Sequence, residues 1–167
     1  MNTNIAFIDG QNLYLGTRDN NWSIDHARFR IYLKEKYKIV RAYYFIGYPS
    51  EKEKDLYSNL EKAGFILLFK LHSSTLKGNK KGNVDSDIIF EIMKKLVDKE
   101  SFNKAFIVSG DGDYKKLVDY LIEKNRFGKM LFPNKQYSSS LYKILGSEFF
   151  DYLEDKYTKE KIEYLRK

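Results

Sequence analysis

The chain has 167 residues, no cysteine, and 30 Lys and Arg against 23 Asp and Glu, for a formal net charge of +7. That length suits one domain with a sizeable core. The absence of cysteine excludes disulfides, thiolate metal sites and cysteine nucleophiles. No apolar run approaches the ~20 residues that cross a bilayer. The first apolar stretch is short and meets Asp9 at once, unlike a signal peptide, so a cytoplasmic protein is expected. The basic balance points to a polyanion such as nucleic acid, or only to solubility.

The apolar run at 4–8 predicts a first strand. Segment 12–37 reads as helical or partly so, with Phe29, Leu33 and Tyr37 on one face. Segment 39–47 predicts a second strand, stopped at Tyr48-Pro49. Ser50 is placed to cap a helix running to Ala63, with Glu53 in capping-box position and Gly64 ending it. A third strand follows at 65–71, then a polar, basic loop at 72–83. The helix at 84–99 carries Ile88, Ile89, Ile92, Met93 and Leu96 on its apolar face. A fourth strand at 104–108, a helix at 114–125 and a fifth strand at 128–132 come next. A short helix around 138–146 is capped by Ser138 or a neighbour. The remainder starts with a short strand and ends as a charged helix bearing Tyr157 and Tyr164. Strand and helix alternate throughout, which predicts a parallel sheet with helices on both faces. The whole chain, 1–167, reads as one domain, with 153–167 a helical extension that offers a homodimer surface.

Two acidic motifs end apolar runs: Asn4-Ile-Ala-Phe-Ile-Asp-Gly-Gln-Asn12 and Ala105-Phe-Ile-Val-Ser-Gly-Asp-Gly-Asp113. Residues just past the carboxyl ends of neighbouring parallel strands converge on one crevice. Asp9, Asp111 and Asp113 would meet there, and carboxylates so placed stay ionised only beside a cation. Asn12 can bond a carboxylate or a water on the metal. Asp and Asn are also preferred helix caps, so each motif alone has a second reading. In Gly82-Asn-Val-Asp-Ser-Asp87, Asp85 or Ser86 is a candidate N-cap, and Asp85 alternatively points into the crevice. Asp87 reads as a solvated acid that favours the helix dipole, and Glu91 lies four residues on along the same side. His26 and His72 lack metal-pair spacing. Ser109 lacks a nucleophile elbow, and no Walker A loop is present. Tyr43, Tyr44 and Tyr48 read mainly as core. Tyr14 and Tyr114 either pack the helices that follow the acidic motifs or stack on a base or ribose.

In this order and on these elements, the acidic motifs resemble the LabA-like NYN domain, a branch of the PIN-domain nuclease superfamily. The matching pieces are Phe7-Ile-Asp-Gly-Gln-Asn-Leu13, Lys81-Gly-Asn-Val-Asp85 and Ile107-Val-Ser-Gly-Asp-Gly-Asp-Tyr114, with Ser140-Leu-Tyr-Lys-Ile-Leu-Gly-Ser-Glu-Phe149 as a closing helix and strand. The resemblance spans roughly residues 4–153. It implies a three-layer α/β/α sandwich with a mostly parallel five- or six-stranded sheet, a Mg²⁺ or Mn²⁺ site, and cleavage of RNA. Asp9, Asp85, Asp111 and Asp113 match the family's catalytic and metal-holding acids, with Asn12, Ser109, Glu91 and Asp87 in support. Asn83 stands as an insertion between Gly82 and Val84, and Asp87 replaces a small apolar residue. Lys77, Lys80 and Lys81 would contact the RNA backbone, which positions a strand without reading its sequence. The rivals are a non-catalytic module binding RNA or protein, and a metal-dependent phosphatase. Gln11, where phospho-aspartate enzymes carry a second Asp, counts against the latter.

Overall fold

The computed structural model describes residues 3–71 and 83–166. Six strands form one sheet: β1 (Asn4–Asp9), β2 (Ile39–Ile46), β3 (Ile66–Phe69), β4 (Ala105–Val108), β5 (Phe127–Phe132) and β6 (Phe150–Tyr152). Their spatial order is β3-β2-β1-β4-β5-β6, and every neighbouring pair is parallel. The sheet order therefore reverses between β1 and β4. In open α/β sheets that reversal opens a crevice beyond the carboxyl ends of the strands.

The central strands are apolar throughout because both of their faces are covered. Along β1, Ala6 and Ile8 join one core while Ile5 and Phe7 join the other. The same alternation divides Ala42 and Tyr44 from Tyr43 and Phe45 on β2, and Phe106 and Val108 from Ala105 and Ile107 on β4. The first core is closed by α1 (Gly10–Asp19), α2 (His26–Tyr37), α3 (Lys54–Ala63) and α6 (Lys156–Ile162) through Leu13, Phe29, Leu33, Leu60 and Ile162. The second is closed by α4 (Asp85–Val97) and α5 (Lys115–Glu123) through Ile88, Ile92, Val118 and Leu121. The result is the expected three-layer sandwich.

Local departures from the sequence reading have physical causes. Segment 12–37 is two helices, separated by a connection in which Ile24 forms an antiparallel bridge with Glu163. The capping box at Ser50 and Glu53 does not form. Residues Glu51–Glu53 make a 3₁₀ turn, and neither the Ser50 nor the Glu53 side chain accepts a capping bond. Gly64 does end α3, with φ of 100° in the left-handed region that favours glycine. Neither Asp85 nor Ser86 caps α4; the Asp85 amide donates instead to Asn83 Oδ1 at 2.9 Å. Val84 holds the N-cap position without a side-chain bond, and Asn83, one residue earlier, satisfies the first helical amide. The helix near 138–146 is 3₁₀ (Ser140–Leu145), capped by Ser139. Tyr164 lies beyond the end of α6 rather than on it. Lys77, Lys80, Lys81 and His72 lie outside the described residues. No helix among the described residues is long and apolar enough to cross a membrane.

Candidate acidic site

Asp9 is the last residue of β1 and caps α1, where the Asn12 amide donates to its Oδ1 at 3.1 Å. The cap and the site are therefore the same side chain. Gly10 is needed for close approach rather than for an unusual φ. A Cβ there would stand 2.7 Å from the Phe45 carbonyl oxygen and 2.6 Å from Tyr44 Cε1. Any side chain would push the first turn of α1 off β2.

The second motif is folded by its own polar groups. The Asp111 amide donates to Ser109 Oγ at 3.1 Å, and the Asp113 amide donates to Asp111 Oδ1 at 2.9 Å. The Gly110 amide donates to Asn12 Oδ1 at 2.9 Å. Asn12 thus uses its side-chain oxygen to fix one acidic turn to the other. A Cβ at Gly112 would lie 2.8 Å from Ser139 Oγ, so this turn packs against the 3₁₀ segment that follows β5. Tyr142 from that segment, fully buried, donates to the Asp111 carbonyl.

Asp85 enters from the first turn of α4. One carboxylate oxygen each of Asp85, Asp111 and Asp113 lies within 4.8 Å of the others. Asp85 is buried, Asp111 half-buried and Asp113 exposed, so the group is open on one side. Asp9 stands beside this trio and is joined to it by Tyr114. The Tyr114 hydroxyl lies 2.8 Å from Asp85 Oδ1 and 3.3 Å from Asp9 Oδ2. Asp85 Oδ2 is buried with no hydrogen-bond partner among the described residues.

Charge follows from this geometry. Burial, then the Asp111 and Asp9 charges, push the Asp85 carboxyl up to about 7, against the opposing bond from Tyr114. Burial also raises Asp9, opposed first by the Asn12 amide. Tyr114 is pushed far above the usual phenol range, by burial and then by the neighbouring carboxylates, so it stays a donor. A buried, unpaired carboxylate oxygen among convergent acids is costly without a counter-charge. Hard oxygen donors converging from three residues, one of them orphaned, fit a divalent cation.

Of the remaining predicted residues, Ser109, fully buried, belongs to the site turn. Asp87 pairs with Lys70 at 3.2 Å. Asp87 and Glu91 line a separate cavity with Phe45, Leu68, Phe69 and Phe90. The sequence reading does not name Tyr142, and it gives Tyr114 to helix packing or base stacking rather than to a bond with Asp85. Tyr114 has 0% exposure and Tyr14 62%, so the two tyrosines that follow acidic motifs have opposite environments. The signal was that Tyr114 sits in register with the buried Leu117, Val118 and Leu121, whereas Tyr14 has charged Arg18 four residues on.

The comparisons with known proteins agree with this architecture. Over 128 residues the chain is 24% identical to the Low amplitude and bright protein LabA of Synechococcus elongatus, covering 71% of this chain and 67% of that protein. The crystal structure of a protein of unknown function from Vibrio parahaemolyticus superposes with a TM-score of 0.71 at 19% identity, covering 98% of this chain and 96% of that one. That likeness establishes the fold. The profile of the NYN domain matches residues 4–151, which include β1, the start of α4 and the turn after β4. On that match, the chain belongs to the NYN domain family.

Proposed function

We propose that the protein is a metal-dependent ribonuclease that hydrolyses RNA phosphodiester bonds at the crevice between β1 and β4. The observation that carries this reading is the convergence of Asp85, Asp111 and Asp113, with Asp85 Oδ2 buried and unpartnered. The nuclease-like fold of the family and the net charge of +7 point the same way.

Asp85, Asp111 and Asp113 would hold Mg²⁺ or Mn²⁺, with Asp9 alongside. When bound, such an ion supplies charge that neutralises phosphate oxygens and acidifies water. The protein's own part is placement. Tyr114 keeps its proton and fixes Asp85 relative to Asp9. Asn12 fixes the β4 turn relative to α1 through Gly110. Ser109 and the Asp113 amide fix the Asp111 side of the group. Asp87 and Glu91 have no part at this centre, and Lys77, Lys80 and Lys81 are assigned to the RNA backbone.

The test is cleavage of labelled RNA by purified protein in Mg²⁺, in Mn²⁺ and in EDTA, beside p-nitrophenyl phosphate. RNA fragments that appear only with metal, without nitrophenol release, are expected. Nitrophenol release without RNA cleavage would make the protein a phosphatase. RNA binding without cleavage in any metal would make it a binding module.

A further inference from the structure

A second concavity begins one residue from Asp9, on the sheet face opposite α4 and α5. It is a cavity of about 550 Å³ whose lining includes Gly10, Gln11, Tyr14, His26 and Tyr44. Through the shared residues Tyr14, Thr17 and Ser23 it continues into a groove lined also by Arg18, Trp22, Tyr164 and Arg166. Arg18 is eight residues beyond Gly10 on α1, about 12 Å along the helix axis.

The groove is built into the fold. Its far wall is stitched in place where the Tyr164 amide donates to the Ser23 carbonyl at 2.9 Å and the Asp25 amide donates to the Ile162 carbonyl at 2.8 Å. Arg28 adds bonds to the carbonyls of Glu160 and Glu163. Tyr14 and Tyr164 are 62% and 55% exposed. Arg18 lies 5.7 Å from the centre of the Tyr14 ring, with 57% of its side chain exposed. Trp22 is buried in the wall, and its Nε1 has no hydrogen-bond partner among the described residues. Of the acids here, Asp19 pairs with Arg18 at 3.2 Å and Glu163 with Lys159 at 3.8 Å, while Glu53 lines the first cavity. Exposed aromatic faces beside arginines along adjoining concavities are the arrangement that holds single-stranded nucleic acid, by stacking and by phosphate contact.

We propose that the strand flanking the scissile phosphate runs from the acidic site along α1 as single-stranded RNA, stacking on Tyr14 and Tyr164 and pairing its phosphates with Arg18 and Arg166. The inference rests on the ribonuclease reading above. A duplex keeps its bases stacked inside and offers no face to these tyrosines.

The experiment measures fluorescence anisotropy of a labelled single-stranded RNA and of its duplex. The proteins are the Asp111→Asn variant, the same variant carrying each groove substitution, and the wild-type protein in EDTA. Wild-type cleavage of the same RNA in Mn²⁺ is measured in parallel. Tyr14→Ala and Tyr164→Ala are each expected to weaken single-strand binding about tenfold. Tyr14→Trp should retain it, and duplex binding should not change with any of the three. Arg18→Ala and Arg166→Ala should each flatten the slope of log affinity against log salt by about 0.7. If wild-type protein cuts the RNA while the groove variants bind it like their parent, the track is refuted and the ribonuclease reading stands. If wild-type protein cuts no RNA and neither metal-free form binds it, the ribonuclease reading falls and the track with it.

Discussion

The Asp85 carboxyl answers to three neighbours at once. Tyr114 donates to it, while Asp9 and Asp111 crowd it with like charge. In the unfolded chain this group ionises at its ordinary 3.8, and in the fold it is pushed up to about 7. Between those values the folded state binds more protons than the unfolded one. Stability of the metal-free protein should therefore fall as pH rises through that window. Thermal unfolding in EDTA from pH 4 to pH 8 checks this. Asp85→Asn should flatten the decline, and Mn²⁺ at pH 8 should raise the melting temperature of the wild-type protein alone. A wild-type melting temperature that climbs steadily to pH 8 in EDTA, with no difference from Asp85→Asn, contradicts the assignment. For the reaction itself, Asp9→Asn and Asp111→Asn should each lower metal-dependent RNA cleavage by at least roughly 10²-fold, the scale of a lost electrostatic partner. Both variants should keep the wild-type circular dichroism spectrum. Unchanged cleavage rates in either folded variant would remove that residue from the site. Asp9, Asp111 and Asp113 were legible in the sequence because they stand where an apolar run meets glycine, and Asp85 because it opens a helix after a Gly-Asn-Val step. Tyr114 was not, because its task depends on Asp9 and Asp85, which lie 105 and 29 residues away.

The start of α4 separates what local pattern tells from what it does not. Asp85 and Ser86 are good capping types, yet the Asp85 amide bonds to Asn83. Asp85 is left free to turn its carboxylate towards Tyr114. The residue that looked like an insertion is the one that releases the acid for the site. Asn83→Ala should cost about 1 kcal/mol, a fall of about 2–4 °C in melting temperature for a chain of this size. Ser50→Ala should change stability by less than about 0.5 kcal/mol, because Ser50 gives no side-chain cap. Parallel thermal melts of the two variants test the pair, and the reverse order would restore the predicted capping box. Strands were legible through their unbroken apolar runs, and β1, β2 and β4 follow from burial on both faces. β3 was overextended by the reading: Phe65, Lys70 and Leu71 fall outside Ile66–Phe69, an edge strand with partly exposed side chains. The break between α1 and α2 was illegible because its bridge partner, Glu163, lies at the other end of the fold.

Across the molecule, the sheet order β3-β2-β1-β4-β5-β6 decides why these acids meet at all. β1 and β4 are distant in sequence but adjacent in the sheet, so the turns after Ile8 and Val108 face each other. α4 leads its first residue, Asp85, to the same place. The chain segment that carries Lys77, Lys80 and Lys81 enters α4 through Asn83, two residues before Asp85. In sequence, three lysines thus precede Asp85, which suits the proposed RNA substrate. Replacing all three lysines with Ala should weaken RNA binding by a similar factor for different sequences, because lysine–phosphate contacts carry no base information. Metal binding, followed as Mn²⁺ protection against thermal unfolding, should be spared. The slope of log affinity against log salt should flatten by about 2, since single strands give ~0.7 per phosphate neutralised and three contacts are removed. This loss is distinguishable from loss of the α1 groove, where the tyrosine variants act on single strands alone and the lysine variant acts on single strands and duplexes together. A triple variant that binds and cuts RNA with an unchanged salt slope would reduce the loop to a connector and leave the arginines beside α1 as the phosphate contacts.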